Sequence, residues 1–245
     1  MDTCRLIHDK LAGSGAWNMA VDEALLLSAV KWDACTVRVY AWNAPTVSLG
    51  YFQRVDAPPD DSRISHLPAV RRLSGGGAIL HHHEITYACA VPACHSAAQS
   101  PTGIYRLVHA AIIRVLDRYG VAAHLRGIPG AEGDAAFLCF SRGDPHDILC
   151  RGQKILGSAQ RRRRGAVLQH GSLLLRRSEF APEHAGMLDL IEQPAEAQEL
   201  PEELGRAIAG EFADRVESGA LTEEEVRMAG RLESSRYTRR DWRGR

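Results

Sequence analysis

The sequence predicts an α+β fold, a mixed β-sheet flanked by helices, on three observations. Segments of strand character come in runs and do not alternate one by one with helices, which argues against a doubly wound sheet. Two stretches, Asn18–Ala29 and Pro101–Tyr119, repeat apolar residues at helical spacing. A chain of 245 residues that is 45% hydrophobic and 24% charged can bury a substantial core without disulfides or metals.

In the first helix Met19, Ala20, Ala24, Leu25 and Leu27 make the apolar face. Thr36–Tyr40 alternates like a half-buried strand, and a short strand starts within Pro45–Gly50. Val70–Arg72 and Ala78–His81 read as extended segments around the turn Ser74-Gly75-Gly76-Gly77, and Glu84–Val91 is a strand closed by Pro92. The second helix is stopped by Gly120. Gly127–Asp134 reads as a loop. Asp147–Cys150 and Gln153–Ile155 form a hairpin about Arg151-Gly152, and Gly157–Arg162 with Ala166–Leu175 forms a second strand pair. Helices are predicted over Glu202–Val216 and Thr222–Ser234, the latter opened by the capping box Thr222-x-x-Glu225. The basic segment Tyr237–Arg245 is expected to be loosely held.

Bulk properties exclude several classes. The formal net charge is zero, so composition points to neither a nucleic acid nor an anionic membrane as partner. No apolar stretch approaches the roughly 20 residues of a membrane span. The first residues lack the layout of a signal peptide, which makes the cytoplasm the expected location, and a monomer is expected. Six cysteines in such a chain are expected to be free thiols, and no CxxC pair suggests zinc.

Chemistry is suggested at a few positions. Only Lys10, Lys31 and Lys154 are lysines among 30 basic residues, so Lys154, between Gly152 and Gly157, stands where a rotatable point donor replaces the usual arginine. Three glycines after a strand let the backbone bring N–H groups to a ligand, although the same sequence also suits a flexible hairpin tip. His81-His82-His83-Glu84 invites a metal, but with no second ligand cluster none is expected, and only His81 is kept as a pocket residue. Cys139 reads either as a buried apolar thiol or as a nucleophile whose thiolate a nearby cation favours, with Lys154 as that cation. Cys150 reads as an ordinary sheet residue. Arg161, Arg162, Arg163 and Arg164 make a positive patch, which suits a solvated tip or the docking of an acidic protein.

Five blocks then appear in order: Trp17-Asn-Met-Ala-Val-Asp-Glu-Ala24, Trp42-Asn-Ala-Pro-Thr-Val-Ser-Leu-Gly-Tyr-Phe-Gln53, Arg71-Arg-Leu-Ser-Gly-Gly-Gly77, Gly152-Gln-Lys-Ile-Leu-Gly-Ser-Ala-Gln160 and Gln169-His-Gly-Ser-Leu-Leu174. With them the chain resembles the lipoate branch of the biotin/lipoate protein ligase catalytic family over most of residues 5–180. The resemblance implies that family's fold, which is similar to class II aminoacyl-tRNA synthetases, over residues 1–190, with 191–245 as a helical extension on the same domain. It implies an acyl pocket beneath the glycine-rich loop. Arg72, Ser74, Gly75, Gly76, Gly77, His81, Gly157, Ser158, Ala159 and His170 would bind substrate, and Lys154 would bond the acyl carbonyl.

Within the family, Cys139-Phe140 ahead of Gly152-x-Lys154, Leu80-His-x-x-Glu84-x-Thr86-Tyr87, and the segment Leu221–Glu225 followed by Tyr237 and Trp242 resemble cysteine-dependent octanoyltransferases. Gly143 and His146-Asp147 stand where their motif carries a proline and a tyrosine-glutamate pair. The transferase resemblance implies an octanoyl group passing from acyl carrier protein to Cys139, then to a lysine of a lipoyl domain or glycine-cleavage H protein. The amine must lose a proton to a base or to water, with His81 or His170 as candidate bases, and no cofactor is needed. The alternatives are a ligase using ATP and Mg, an amidotransferase between lipoyl domains, and a non-catalytic acyl- or carrier-binding relative.

Overall fold

An eight-stranded mixed sheet carries the fold in the computed structural model, which describes residues 2–53, 63–127, 138–141, 143–192 and 197–243, apart from the side chains of Cys139 and Arg243. In chain order the strands are β1 (Thr3–His8), β2 (Cys35–Tyr40), β3 (Thr46–Leu49), β4 (Ala69–Arg71), β5 (Ile79–His81), β6 (Glu84–Val91), β7 (Ala123–Leu125), β8 (Ile148–Cys150), β9 (Gln153–Arg163), β10 (Ala166–Leu174) and β11 (Arg215–Gly219). The main sheet runs β11-β1-β2-β6-β10-β9-β8-β7, and β4-β3-β5 forms a separate small sheet. Only the β11–β1 and β1–β2 contacts of the main sheet are parallel. The predicted mixed sheet flanked by helices is therefore the observed architecture.

Helices α1 (Gly15–Trp32), α2 (Gly103–Arg118), α3 (Leu200–Ala209) and α4 (Glu223–Leu232) cover the main sheet. One face packs β6, β9 and β10 residues such as Tyr87, Leu156 and Val167 against Val108 and Ile112 of α2 and Leu204 and Ile208 of α3. The other packs Ala88, Ala90 and Leu168 against Met19, Ala24 and Leu25 of α1 and Ala229 of α4. Each valine, leucine, isoleucine or methionine among them contributes about 1.5–3 kcal/mol on being withdrawn from water. Local signals set the ends. Ser14 Oγ accepts from Trp17 N at 3.1 Å to start α1. Gly120, at φ 72°, follows the end of α2 as expected. The Thr222–Glu225 capping box opens α4.

Both hairpins of this region use the twist-matched turn in which two successive residues take positive φ. They are Arg151-Gly152 (47° and 75°) and Arg164-Gly165 (48° and 84°). The sequence predicts a break between Ile155 and Gly157, but β9 is one strand of 11 residues. Its first part, Gln153–Leu156, pairs with β8, and from Leu156 to Arg163 it pairs with β10.

Three expectations are corrected. The helix predicted over Glu202–Val216 ends at Ala209, and Arg215–Gly219 instead pairs in parallel with Thr3–Ile7 at the sheet edge. β1 and β7 carry no strand signal in the sequence reading. The segment after Tyr237 is not loose up to residue 243. Tyr237 donates its hydroxyl to Glu23 at 2.9 Å, and Trp242 Nε1 donates to the Arg71 carbonyl at 3.0 Å.

Candidate active site

The β8–β9 hairpin delivers Lys154. Its side chain is buried, and Nζ lies 2.9 Å from Asp147 Oδ1 and 5.4 Å from the centroid of the Phe140 ring. Asp147 Oδ2 accepts from the Asp144 N–H at 2.8 Å. Burial pushes the Asp147 carboxyl above the usual aspartate range, although Lys154 and the Asp144 N–H pull it the other way. Three residues on, Gly157 leaves room for the lysine: a Cβ there would stand 2.8 Å from Lys154 Cε and 3.1 Å from Nζ.

Cys139 lies on the short 3-10 turn Cys139–Ser141, and its side chain is outside the described residues. Its neighbours locate the turn. Leu138 bridges to Ala78 directly after the glycine-rich loop, and Phe140 packs on Ile79 and Leu174. The chain thus brings the Cys139 backbone between that loop and the Lys154 strand. The Cys150 thiol is buried in the sheet and pushed up by that burial, so it remains an unreactive thiol.

The glycine-rich loop is held by buried Arg72. Its guanidinium donates to the carbonyls of Gly75 (2.7 Å), Gly77 (2.6 Å) and Ser48 (2.8 Å). Gly76 takes φ 87°, and its carbonyl comes so close to Gly50 that a Cβ there would stand 2.0 Å from the oxygen. Beneath the loop a cavity is lined by Ile79, His81, Arg72, Ala159, His170 and Ser172, with Met19 and Tyr40 behind them.

Its polar lining is organised by buried carboxylates. His170 Nδ1 lies 3.0 Å from Asp22 Oδ2 and its Nε2 2.5 Å from Ser74 Oγ, which makes a chain of three buried groups. Asp22 also accepts from Tyr40 OH (2.9 Å) and Arg38 (3.0 Å). His81 uses both ring nitrogens, on Glu84 (2.6 Å) and Ser48 (2.7 Å), and stacks on Trp42 with ring centroids 3.7 Å apart. Burial lowers the His81 pKa against the pull of Glu84.

The structure brings Arg72, Ser74, Gly75, Gly77, His81, Ala159 and His170 together at or above this cavity. Ser158 faces the other way. Strand alternation turns its hydroxyl to Tyr87 OH and His109 Nε2, both at 2.7 Å. Arg161, Arg162 and Arg163 do not share one face. Arg162 donates to Ala98 and Ser100 carbonyls at 2.5 and 2.6 Å, while Arg161 and Arg163 face the opposite side. His82 and His83 approach Glu179 with ligand atoms within 4.8 Å, a grouping that the sequence reading did not foresee.

Asp22 and Asp147 are the residues that sequence reasoning missed. Asp22 carried a signal, an acid inside the apolar run of α1. Asp147 carried one too, an acid standing where the transferase motif carries glutamate, just ahead of a tight hairpin.

The fold is that of lipoate protein ligases. Protein Ta0514 of T. acidophilum, solved with bound lipoic acid, superposes with a TM-score of 0.77 at 22% identity over 100% of both chains. Lipoate-protein ligase A bound with ATP gives 0.74 at 22% identity over 99% of this chain and 98% of that one. The chain belongs to the lipoyl protein ligase A/B catalytic domain family, whose model matches residues 14–198. Among curated relatives it is 34% identical to octanoyltransferase LipM of Kyrpidia tusciae over 99% of this chain and 98% of the relative. It is 30% identical to octanoyltransferase LipM of Anoxybacillus flavithermus over 94% of each.

Proposed function

We propose that the chain is an octanoyltransferase of lipoate biosynthesis that works through a Cys139 thioester. The observation that carries this reading is the buried Lys154 ammonium, fixed by Asp147 and lying over Phe140, the residue after Cys139. The similarity to octanoyltransferases along almost the whole chain supports the same reaction.

The Cys139 thiolate attacks the carbonyl carbon of an octanoyl thioester on acyl carrier protein. The carbonyl π pair moves to oxygen, where Lys154 donates a hydrogen bond to the developing oxyanion. Collapse expels the carrier thiolate, which takes up a proton, and leaves octanoyl-Cys139. The ε-amine of a lysine on a lipoyl domain or H protein then attacks that thioester, loses a proton and releases the Cys139 thiolate. His170, held between Asp22 and Ser74, and His81, held between Glu84 and Ser48, are the two imidazoles lining this cavity that can accept that proton. The octanoyl chain occupies the cavity beneath the loop that Arg72 holds. Because the thioester is already activated, the reaction runs without ATP.

Octanoyl-acyl carrier protein and H protein, incubated with the enzyme in the absence of ATP, should yield octanoylated H protein. A strict requirement for ATP would make the chain a ligase instead.

A further inference from the structure

The arginines at the far end of β9 form a second site in line with the first. Gly157, Ala159, Arg161 and Arg163 share one face of the strand. Arg161 and Arg163 enter a cavity with Arg236, closed by Tyr51, Trp242 and Leu73 of the glycine-rich loop. The guanidinium of Arg161 lies 5.0 Å from the Tyr51 ring centroid, and that of Arg236 lies 4.9 Å from that of Trp242. Three guanidiniums share this cavity with one carboxylate, and two of them reach it. Buried Glu23 accepts from Arg236 at 2.5 and 2.6 Å and lies 3.5 Å from Arg163. Among the described residues Arg161 makes no ion pair, so the cavity keeps a positive excess on donors that fit phosphate oxygens in pairs.

Its distance from the chemistry selects the phosphate. From Gly157 to Arg161 is four residues, ~13 Å of strand. A phosphopantetheine arm, measured from sulfur to phosphorus, has the backbone length of four to five extended residues, ~15 Å. Beyond Leu156, no described strand pairs with the outer edge of β9. That edge offers backbone groups to the two amides of such an arm.

We propose that the donor's phosphopantetheine arm lies along β9, with its phosphodiester held by Arg161 and Arg163. This rests on the octanoyltransferase reading and adds to it the group that recognises the donor.

The test uses the full chain and two soluble donors, octanoyl-4′-phosphopantetheine and octanoyl-pantetheine, with the initial rate of enzyme acylation as readout. The wild type should show a KM about tenfold or more lower for the phosphorylated donor. The Arg161→Gln/Arg163→Gln double variant, checked for an unchanged melting temperature, should bring the two donors within about twofold of one another. Equal KM values in the wild type, or a preference that survives in the double variant, would overturn the proposal while leaving the transferase reading in place. ATP at millimolar concentration is a third arm. If it competes with both donors equally, and this competition is lost in the double variant, the site takes a nucleotide phosphate and the proposal fails. No acylation by either donor would overturn the transferase reading and this proposal together.

Discussion

Lys154 and Asp147 meet at 2.9 Å, and each side chain is almost fully buried. Two charges withdrawn from water in this way cost several kcal/mol each unless paired, so neither is expected at this depth without a use. The tight hairpin at Arg151-Gly152 brings the two strand ends together, and Gly157 keeps the space into which the lysine folds.

Removing the donor should remove the chemistry. Lys154→Ala is expected to slow acylation by about 100- to 1000-fold, the usual cost of losing an oxyanion contact. Lys154→Arg should fare little better, because a planar fork does not fit above Gly157. Asp147→Asn strips a buried ammonium of its counter-charge and should destabilise the fold by about 3–5 kcal/mol. Single-turnover acylation and urea unfolding check these separately.

Gly157 and Gly75 make a controlled pair. Gly157→Ala should displace the ammonium, lowering acylation at least about tenfold with a small change in stability, since the atom it meets is the end of a flexible side chain. At Gly75 a Cβ meets nothing within 4 Å, and Gly75→Ala should fold as the wild type does. Melting temperatures together with acylation rates distinguish the two.

Stability should depend on His109. Burial, only partly offset by the bond to the His146 carbonyl, lowers its pKa from 6.5 to about 4. Between those values the unfolded chain binds the proton and the folded chain does not, so stability is full above pH 6.5 and falls as pH drops toward 4. The difference is worth ~3 kcal/mol at the acid end. His109→Gln should flatten that slope in urea titrations between pH 7.5 and 4.5. An unchanged slope would assign it to other buried histidines.

Trp242 clamps the strand that leads into the glycine-rich loop, since it donates to the Arg71 carbonyl while its own carbonyl accepts from Arg71 Nε at 3.1 Å. Trp242→Ala should cost about 3–5 kcal/mol. Amide exchange over residues 71–77 should rise in the same variant. Exchange that stays at wild-type levels would show that the loop is held without the clamp.

Much of the core was legible in the sequence because period and punctuation agree in it. Thr36–Tyr40 carries alternation, Glu84–Val91 is closed by Pro92, and the second helix carries helical spacing closed by Gly120. The missed pieces lack such signals. β11 is a polar, mostly exposed edge whose pairing with β1 is set by tertiary register, and Trp242 is fixed by contacts with Arg71, far away in sequence. At the site, lysine scarcity drew attention to Lys154, and the family resemblance gave the loop and His170. Asp147 stands at the glutamate position of the transferase motif, but its pairing with Lys154 needed the hairpin register. The inward turn of Ser158 was available from strand alternation alone, with Ala159 taking the cavity side.

The most direct test is intact mass measurement after mixing the protein with octanoyl-acyl carrier protein, without ATP. The account predicts one octanoyl group on the wild type, mapped to Cys139 and discharged by H protein, and none on Cys139→Ser. Full transfer by Cys139→Ser, or a wild type that is acylated only when ATP is supplied, would contradict it.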